Sequence, residues 1–212
     1  MNGSHIHRLI AEGEHQMLDF KFEISDCRKN ARSLVAFANT DGGRLLIGVK
    51  DNGVISGIRS EEEKHMIEAS AQMYCKPKVK YTVKEWNLNG KIVLEVIIPK
   101  NEDIKHKAPD HNNIYKVYIR VKDENIIADN ILVKLWKREK DKNNINITFS
   151  KEEKLLLKCL NGRKKLNFDD FLEISQLKKK EAEDILVNFI LIGMVKINMS
   201  DKTISFSYND LA

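Results

Sequence analysis

The sequence contains few cysteines, few prolines and no long apolar run. Its 3 cysteines among 212 residues are widely spaced and form no Cys-x-x-Cys pair, which argues against a disulfide framework or structural zinc and favours a reducing, cytoplasmic setting. With only 3 prolines and a hydrophobic fraction of 42%, the chain has the composition of a folded protein. No apolar stretch approaches the ~18 residues of a membrane span, so we expect no membrane partner.

Charge and local composition divide the chain. The formal net charge of +5 is a mild basic bias that is compatible with a nucleic-acid partner. The polar stretch KREKDKNNINIT at 137–148 follows an amphipathic helix pattern and predicts a linker. We therefore predict a first domain at 1–140, a linker at 141–149 and a second domain at 150–212.

Hydrophobic periodicity predicts an α+β fold in which sheet and helices pack together in the first domain. Helices are predicted at 27–38, 61–74 and 129–137. Strands are predicted at 18–22, 44–49, 54–58, 79–86, 91–98 and 115–121. The second domain opens with a capping-box pattern at Ser150 and Glu153, and its three helices precede a β-hairpin. That order of elements is typical of a small winged helix-turn-helix domain.

The stretch VAFANTDGGRLLIGVKDNG, residues 35–53, reverses direction twice. A structural turn is predicted at the end of the helix, because glycine adopts the positive φ that helix ends need. Its residues are Asn39, Asp41, Gly42 and Gly43. Asn52-Gly53 predicts a tight hairpin turn, which places Asp51 at a strand end. The helix precedes the glycines and no Lys-Ser/Thr follows them, so we expect no ATP-binding loop.

Four segments together resemble the AlbA-2 domain of Schlafen-like proteins: Glu14, LDFK at 18–21, AFANTDGGRLLIGVKDNG at 36–53, and YIRV at 118–121. The resemblance covers residues 8 to about 137 and implies nucleic-acid contact. In Schlafen relatives it also implies a ribonuclease with three carboxylates.

On this sequence the three carboxylates of the resemblance fall at Glu14, Asp19 and Asp51. They would be both the catalytic residues and the ligands of Mg²⁺ or Mn²⁺, since these ions prefer oxygen donors. Two residues depart from the family pattern: Asp19 replaces a glutamate, and Lys50 replaces an aspartate.

Basic residues supply the candidate nucleic-acid contacts. Lys21 lies on the same strand face as Asp19, where it is placed to neutralise a phosphate. Further along the chain, alternating residues predict an outer face suited to phosphate contact and base stacking. These residues are Lys116, Tyr118, Arg120 and Lys122. The alternative is an exposed sheet face whose charge only aids solubility.

In the second domain, the third helix occupies the position from which a recognition helix meets the major groove. The candidate contacts are Gln176, Lys178, Lys179 and Lys180. The alternative is a solvated helix face, because three consecutive lysines point to different sides of a helix.

Three functions are open at this stage. The leading hypothesis is a nucleic-acid-binding protein, with DNA as its target and transcriptional regulation as its role. The second is a metal-dependent endoribonuclease that acts on structured RNA, and the third is a protein-interaction module. No cofactor is required by the first hypothesis, whereas Mg²⁺ or Mn²⁺ would serve the second. The sequence leaves a homodimer open.

Overall fold

The computed structural model describes residues 4–139, 147–163, 165–200 and 203–209. The chain divides into two compact units, Met1–Ile127 and Ala128–Ala212. Both contain helices and strands, so the predicted α+β class is confirmed. Among the described helices, none is both long and apolar enough to cross a membrane.

The elements of the first unit alternate between helix and strand before ending in short strands. In chain order they are α1 (Ser4–Glu12), β1 (Leu18–Lys21), α2 (Cys27–Asn39), β2 (Gly43–Ile47), α3 (Glu62–Met73), β3 (Thr82–Leu88), β4 (Lys91–Ile98), β5 (Ala108–Pro109), β6 (Tyr115–Lys116), β7 (Tyr118–Val121) and β8 (Glu124–Ile127).

A four-stranded sheet in the order β1-β2-β4-β3 forms the centre of this unit. Strand β1 runs parallel to β2, and the other pairs are antiparallel. Side chains alternate between the two faces of a strand, so Leu45 and Ile47 pack with α2 and α3 while Leu46 packs with α1. On β1, Leu18 and Phe20 belong to the α1 side. Asp19 therefore points to the face that α2 covers.

The structure corrects two expectations about these elements and adds one helix. Residues 54–58 do not form a strand of the sheet; Val49 and Ile55 make an isolated bridge, and β2 instead pairs with β1 and β4. The strand expected at 115–121 is interrupted at Val117, which leaves β6 and β7 in separate pairs. Helix α1 was not predicted, although Ile6 and Leu9 are buried against the sheet.

The second unit has its own apolar core. Its elements are α4 (Asn130–Glu139), α5 (Lys151–Gly162), β9 (Leu166–Asn167), α6 (Phe168–Ser175), α7 (Lys179–Leu191), β10 (Val195–Ser200) and β11 (Thr203–Tyr208). The strands form a sheet in the order β10-β11-β9. Ser150 and Glu153 make the predicted reciprocal capping box at the start of α5.

Helix α4 belongs to the second unit, whereas the sequence placed it in the first domain. Ile131 and Leu135 lie in the second core. Lys134 pairs with Glu183 of α7 at 2.7 Å, and Arg138 pairs with Asp184 at 3.0 Å. The linker predicted at 141–149 falls mostly outside the described residues, and residues 201–202 of the predicted β-hairpin also lie outside them.

Candidate nucleic-acid interface

The predicted turn at the end of α2 ties distant segments together. Asn39 is 3% exposed, and its Nδ2 donates to the carbonyl oxygens of His106 at 2.9 Å and Tyr118 at 2.8 Å. Its Oδ1 accepts from the backbone N–H of His106 at 2.7 Å. One side-chain amide thus fixes both β7 and the segment before β5 to the end of the helix.

The next residues of the turn extend this connection to β7 and to the loop before β1. Thr40 Oγ1 accepts from the backbone N–H of Arg120 at 3.0 Å. Gln16 Nε2 donates to Asp41 Oδ2 at 3.0 Å and to the carbonyl oxygen of Arg120 at 2.9 Å, while Gln16 Oε1 accepts from the N–H of Lys122 at 2.8 Å. These bonds hold β7 against α2 and beside β1.

The glycine pair is needed because the backbone passes close to other atoms there. Gly42 has φ +73°, and a Cβ atom on it would lie 2.8 Å from the backbone nitrogen of Lys100. A Cβ on Gly43 would lie 2.8 Å from the carbonyl oxygen of Met17 and would collide with the ring of Phe37. Both glycines therefore serve the turn itself.

Arg120 is buried, contrary to the expectation that it lies on an outer face. It is 2% exposed, and its Nη2 donates to Asp19 Oδ1 and to the carbonyl oxygen of Leu18, each at 3.2 Å. Its guanidinium carbon lies 5.0 Å from the centre of the Phe37 ring. Tyr118 is also buried, at 6% exposure, because β7 lies directly against α2.

Asp19 is neutralised by two cations. Besides Arg120, the Nζ of Lys21 lies 2.8 Å from Asp19 Oδ2, which is an ion-pair distance although the angle does not make a hydrogen bond. Lys21 and Asp19 therefore lie close together, and the predicted contact of Lys21 with a phosphate stays a prediction. The charge of Lys21, however, is already matched by a carboxylate, so a phosphate would have to compete with Asp19.

Glu14 lies beside Asp19. Its Oε1 accepts from the backbone N–H of Phe20 at 2.8 Å. Burial raises the pKa of Glu14, and the hydrogen bond to Asp19 and the charge of that residue raise it further, although the Phe20 bond opposes the shift. The two carboxyl groups therefore form a pair in which ionisation of one disfavours ionisation of the other.

The described residues do not fit a divalent-metal centre. Asp51 is exposed in the turn after β2. Across the described ranges, no three His, Cys, Asp or Glu side chains are grouped so that they could hold a metal ion. The Glu14–Asp19 pair also faces Lys21 and Arg120, whose ammonium and guanidinium groups compete with a cation for Asp19.

A cavity of about 620 Å³ lies beside Asp19, with walls from α2, β7 and β8. We call it the cationic cavity, because the four basic side chains in its lining outnumber its three carboxylates, Asp19, Asp110 and Asp123. The basic residues are Lys21, Lys29, Arg32 and Arg120. Tyr118 also lines it, and the exposed residues Lys29 and Asp123 lie at its rim. The structure thus gathers Asp19, Lys21, Tyr118 and Arg120 from the predicted set into one place.

Lys29 and Arg32 were missed by the sequence analysis. Arg32 donates from Nε to the carbonyl oxygen of Pro109 at 2.8 Å, and its guanidinium carbon lies 6.0 Å from the Tyr118 ring centre. The two residues are three positions apart in α2, which places them on one helix face. This three-residue spacing of two basic residues is the sequence feature that could have identified them.

Other predicted contacts lie elsewhere. Lys116 is half-buried on β6, and its charge helps to lower the pKa of Asp110, which is lowered mainly by a hydrogen bond from the backbone N–H of Ile114. Lys122 is exposed in the β7–β8 turn with φ +57°. Neither is among the residues that line the cationic cavity.

In the second unit, Gln176 adopts a left-handed conformation after α6, and its Nε2 donates to the carbonyl oxygen of Glu173 at 2.6 Å. Lys178, Lys179 and Lys180 are exposed at the start of α7.

A family model described as Schlafen, AlbA_2 matches residues 14–129, which is more than half of the chain. The chain belongs to the Schlafen AlbA_2 family. The matched region includes all the lining residues of the cationic cavity, whereas α1 and most of the second unit lie outside it. No curated protein matches the sequence.

Two solved structures are similar to more than half of the chain. The DIP2311 protein from Corynebacterium diphtheriae is 21% identical over 58% of this chain, with a TM-score of 0.42. The match spans 24% of that protein, so the matched part of this chain corresponds to about a quarter of its length. The N-terminal domain of a RecG-related protein from Nitrosomonas europaea is 20% identical over 59% of this chain and 95% of that domain, with a TM-score of 0.37.

Proposed function

We propose that this AlbA_2 protein binds nucleic acid, with DNA as the first target to test and RNA as the alternative. The observation that supports it most directly is the cationic cavity, in which Lys21, Lys29, Arg32 and Arg120 surround one space of about 620 Å³. Phosphate contacts from lysine and arginine supply most of the sequence-independent affinity for nucleic acid.

The four cations have different tasks under this proposal. Arg120 and Lys21 are held by Asp19, so they set the shape and the potential of the inner wall. Arg32 is fixed by Pro109 on the side wall. Lys29 is exposed at the rim and forms no ion pair within the described residues. Lys29 is therefore the lining residue whose charge is most available to a phosphate.

Charge reversal at the rim tests the proposal. Fluorescence anisotropy with labelled duplex DNA, single-stranded DNA and tRNA should show salt-sensitive binding by the wild type. Lys29→Glu is expected to weaken it by about tenfold or more, because it places a carboxylate beside the phosphates. The matched control is Lys84→Glu, an exposed lysine on β3 at the sheet edge opposite β1. Equal binding by wild type and Lys29→Glu would contradict the proposal.

We further propose that the second unit is a winged helix-turn-helix and that the protein regulates transcription. The support is the order α5-β9-α6-α7-β10-β11 together with the pairing of β9 to β11, which is the arrangement of that fold. In such a domain the helix in the place of α7 enters the major groove. Lys179 and Lys180 are exposed at its N-terminal end, as this role requires.

A Schlafen-type endoribonuclease is the second candidate, because Glu14 and Asp19 are side by side as two of its three carboxylates would be. The two neutralising cations and the exposed position of Asp51 favour binding over cleavage. Incubation of tRNA with the protein and Mn²⁺ decides between them. We expect a mobility shift without cleavage, whereas cleavage that Asp51→Asn abolishes would establish the nuclease.

A further inference from the structure

Three exposed lysines follow α3 in the sequence KPKVK, residues 76–80. Lys76, Lys78 and Lys80 are exposed, while Val79 is 3% exposed and belongs to the core beneath α2 and α3. The buried valine anchors the segment, so its lysines are held at the surface.

A fourth lysine is joined to this segment through the backbone. Lys76 and Lys107 exchange two hydrogen bonds, with N···O distances of 2.8 and 2.7 Å. The buried ring of His106 adds a further link, because its Nδ1 lies 2.8 Å from the carbonyl oxygen of Pro77. Lys76, Lys78, Lys80 and Lys107, here called the lysine surface, therefore lie on two segments that are fixed to each other.

The lysine surface makes no ion pair within the described residues. Within the described residues, none of its four ammonium groups lies within 4.0 Å of a carboxylate. By contrast, Lys64 of the preceding helix pairs with both Glu61 and Glu85 at 2.6 Å.

The Nζ of Lys76 lies instead 4.2 Å from the centre of the half-buried Tyr115 ring. Glu102 and Asp103 line a cavity with Lys80 but make no ion pair with it. Four lysines on two joined segments, none of them ion-paired within the described residues, form a site that attracts a polyanion.

The β5–β6 hairpin links the lysine surface to the cationic cavity. Tyr115 of β6 lies under Lys76, while Asp110, His111 and Asn112 of the hairpin loop line the cavity. The lysine surface therefore lies beside the strands of this hairpin, and the cationic cavity lies beside its loop.

We propose that the lysine surface contacts the phosphate backbone of the nucleic acid whose binding is proposed above, as a second site beyond the cavity. The inference rests on that proposed function. Lysine suits this task because its ammonium group recognises phosphate as a point charge and carries no sequence information. The surface adds affinity and salt dependence, and the cavity adds its own contacts at the other end of the hairpin.

The test compares two triple variants that lose the same charge. Lys76→Ala/Lys78→Ala/Lys80→Ala leaves the Lys76–Lys107 backbone bonds intact. The control removes three exposed lysines of α5, as Lys151→Ala/Lys154→Ala/Lys158→Ala. Affinity for labelled duplex DNA is measured from 50 to about 300 mM salt. The surface variant should flatten the slope of log K against log salt by about 2 to 3 units, while the control keeps the wild-type slope.

The outcomes separate this inference from the proposed function. If the wild type binds and both variants keep its slope, the lysine surface is not a phosphate site, although the protein still binds nucleic acid. If the wild type does not bind DNA or RNA, the proposed function itself fails. The inference is also overturned if the surface variant loses as much affinity for a labelled poly-glutamate peptide as it loses for DNA, because that result would assign the surface to acidic proteins. Melting temperatures show whether each variant is folded.

Discussion

Two basic segments of this protein have the same alternating pattern and opposite surroundings. In KVYIRVK, residues 116–122, and in KPKVK, residues 76–80, charged or polar residues alternate with apolar ones. Arg120 in the first is 2% exposed and paired with Asp19, whereas the lysines of the second are exposed and form no ion pair within the described residues. Alternation shows that two faces differ, but it does not show that the polar face meets water.

The difference arises from what covers each segment. Asn39, Thr40 and Gln16 hold β7 in place against α2, so both faces of that strand are enclosed. Arginine is tolerated there because Asp19 and two backbone carbonyl groups accept hydrogen bonds from its guanidinium group. The lysine segment has only its Val79 side covered. The first segment therefore contributes to stability as well as to the candidate site, while the second contributes charge.

The largest expected effect is the loss of Arg120. Arg120→Met leaves the buried carboxylate of Asp19 without its guanidinium partner and should lower the free energy of unfolding by about 3 to 5 kcal/mol. Denaturant unfolding measures this loss. Lys78→Ala is the comparison from the exposed segment and should leave the melting temperature unchanged. The double variant Asp19→Asn/Arg120→Met should recover part of the loss, and an Arg120→Met protein as stable as wild type would remove the contrast between the segments.

A smaller loss is expected at the turn that positions β7. Gly42→Ala should cost about 1 kcal/mol or more, because alanine disfavours φ +73° and its Cβ would lie 2.8 Å from the Lys100 nitrogen. Gly90→Ala is the matched control, with φ +84° and no atom within 4 Å of the added Cβ. Thermal unfolding should show the larger decrease for Gly42→Ala. Equal decreases would mean that φ alone, and not the close approach, requires the glycine.

Glu14, which lies beside the Asp19–Arg120 pair, should make the stability of the protein depend on pH. Its pKa is raised in the folded state by burial and by Asp19, so ionisation of Glu14 disfavours folding. The contribution of Glu14 to the free energy of unfolding is thus fully present below the pKa of the unfolded chain, about 4.3. It is lost as the pH rises through the higher pKa of Glu14 in the folded protein. Glu14→Gln should therefore melt higher than wild type at pH 8 and nearly equally at pH 4. Glu68→Gln, at an exposed site on α3, should show no such divergence.

The smallest effect on stability is expected in the second unit. Lys179→Ala/Lys180→Ala removes two exposed side chains and should leave the melting temperature unchanged. If α7 contacts phosphates, the slope of log K against log salt for duplex DNA should flatten by up to about 2 units. An unchanged slope would confine nucleic-acid contact to the AlbA_2 unit. The α5 triple variant described above is the control for this measurement as well.

Much of the secondary structure follows from local sequence. Helix α2 is predicted because Ala31, Leu34 and Val35 repeat at helical spacing, and β3 and β4 correspond to the strands predicted at 79–86 and 91–98. The turn at Gly42 and the capping box at Ser150 are predicted for the same reason, since each depends on residues a few positions apart. The order of the AlbA_2 motifs along the sequence also predicted the family, which the family model confirms.

Only the tertiary structure decided the surroundings of the candidate site. Residues 101 positions apart meet in the Asp19–Arg120 pair, and no local pattern encodes such a contact. The prediction of a strand at 54–58 was wrong because β1 and β4, both distant in sequence, pair with the two edges of β2. The spacing of Lys29 and Arg32 marks a helix face, but only the packing of β7 and β8 turns that face into a cavity wall. Burial depends on which elements cover a residue, and that is a property of the whole fold.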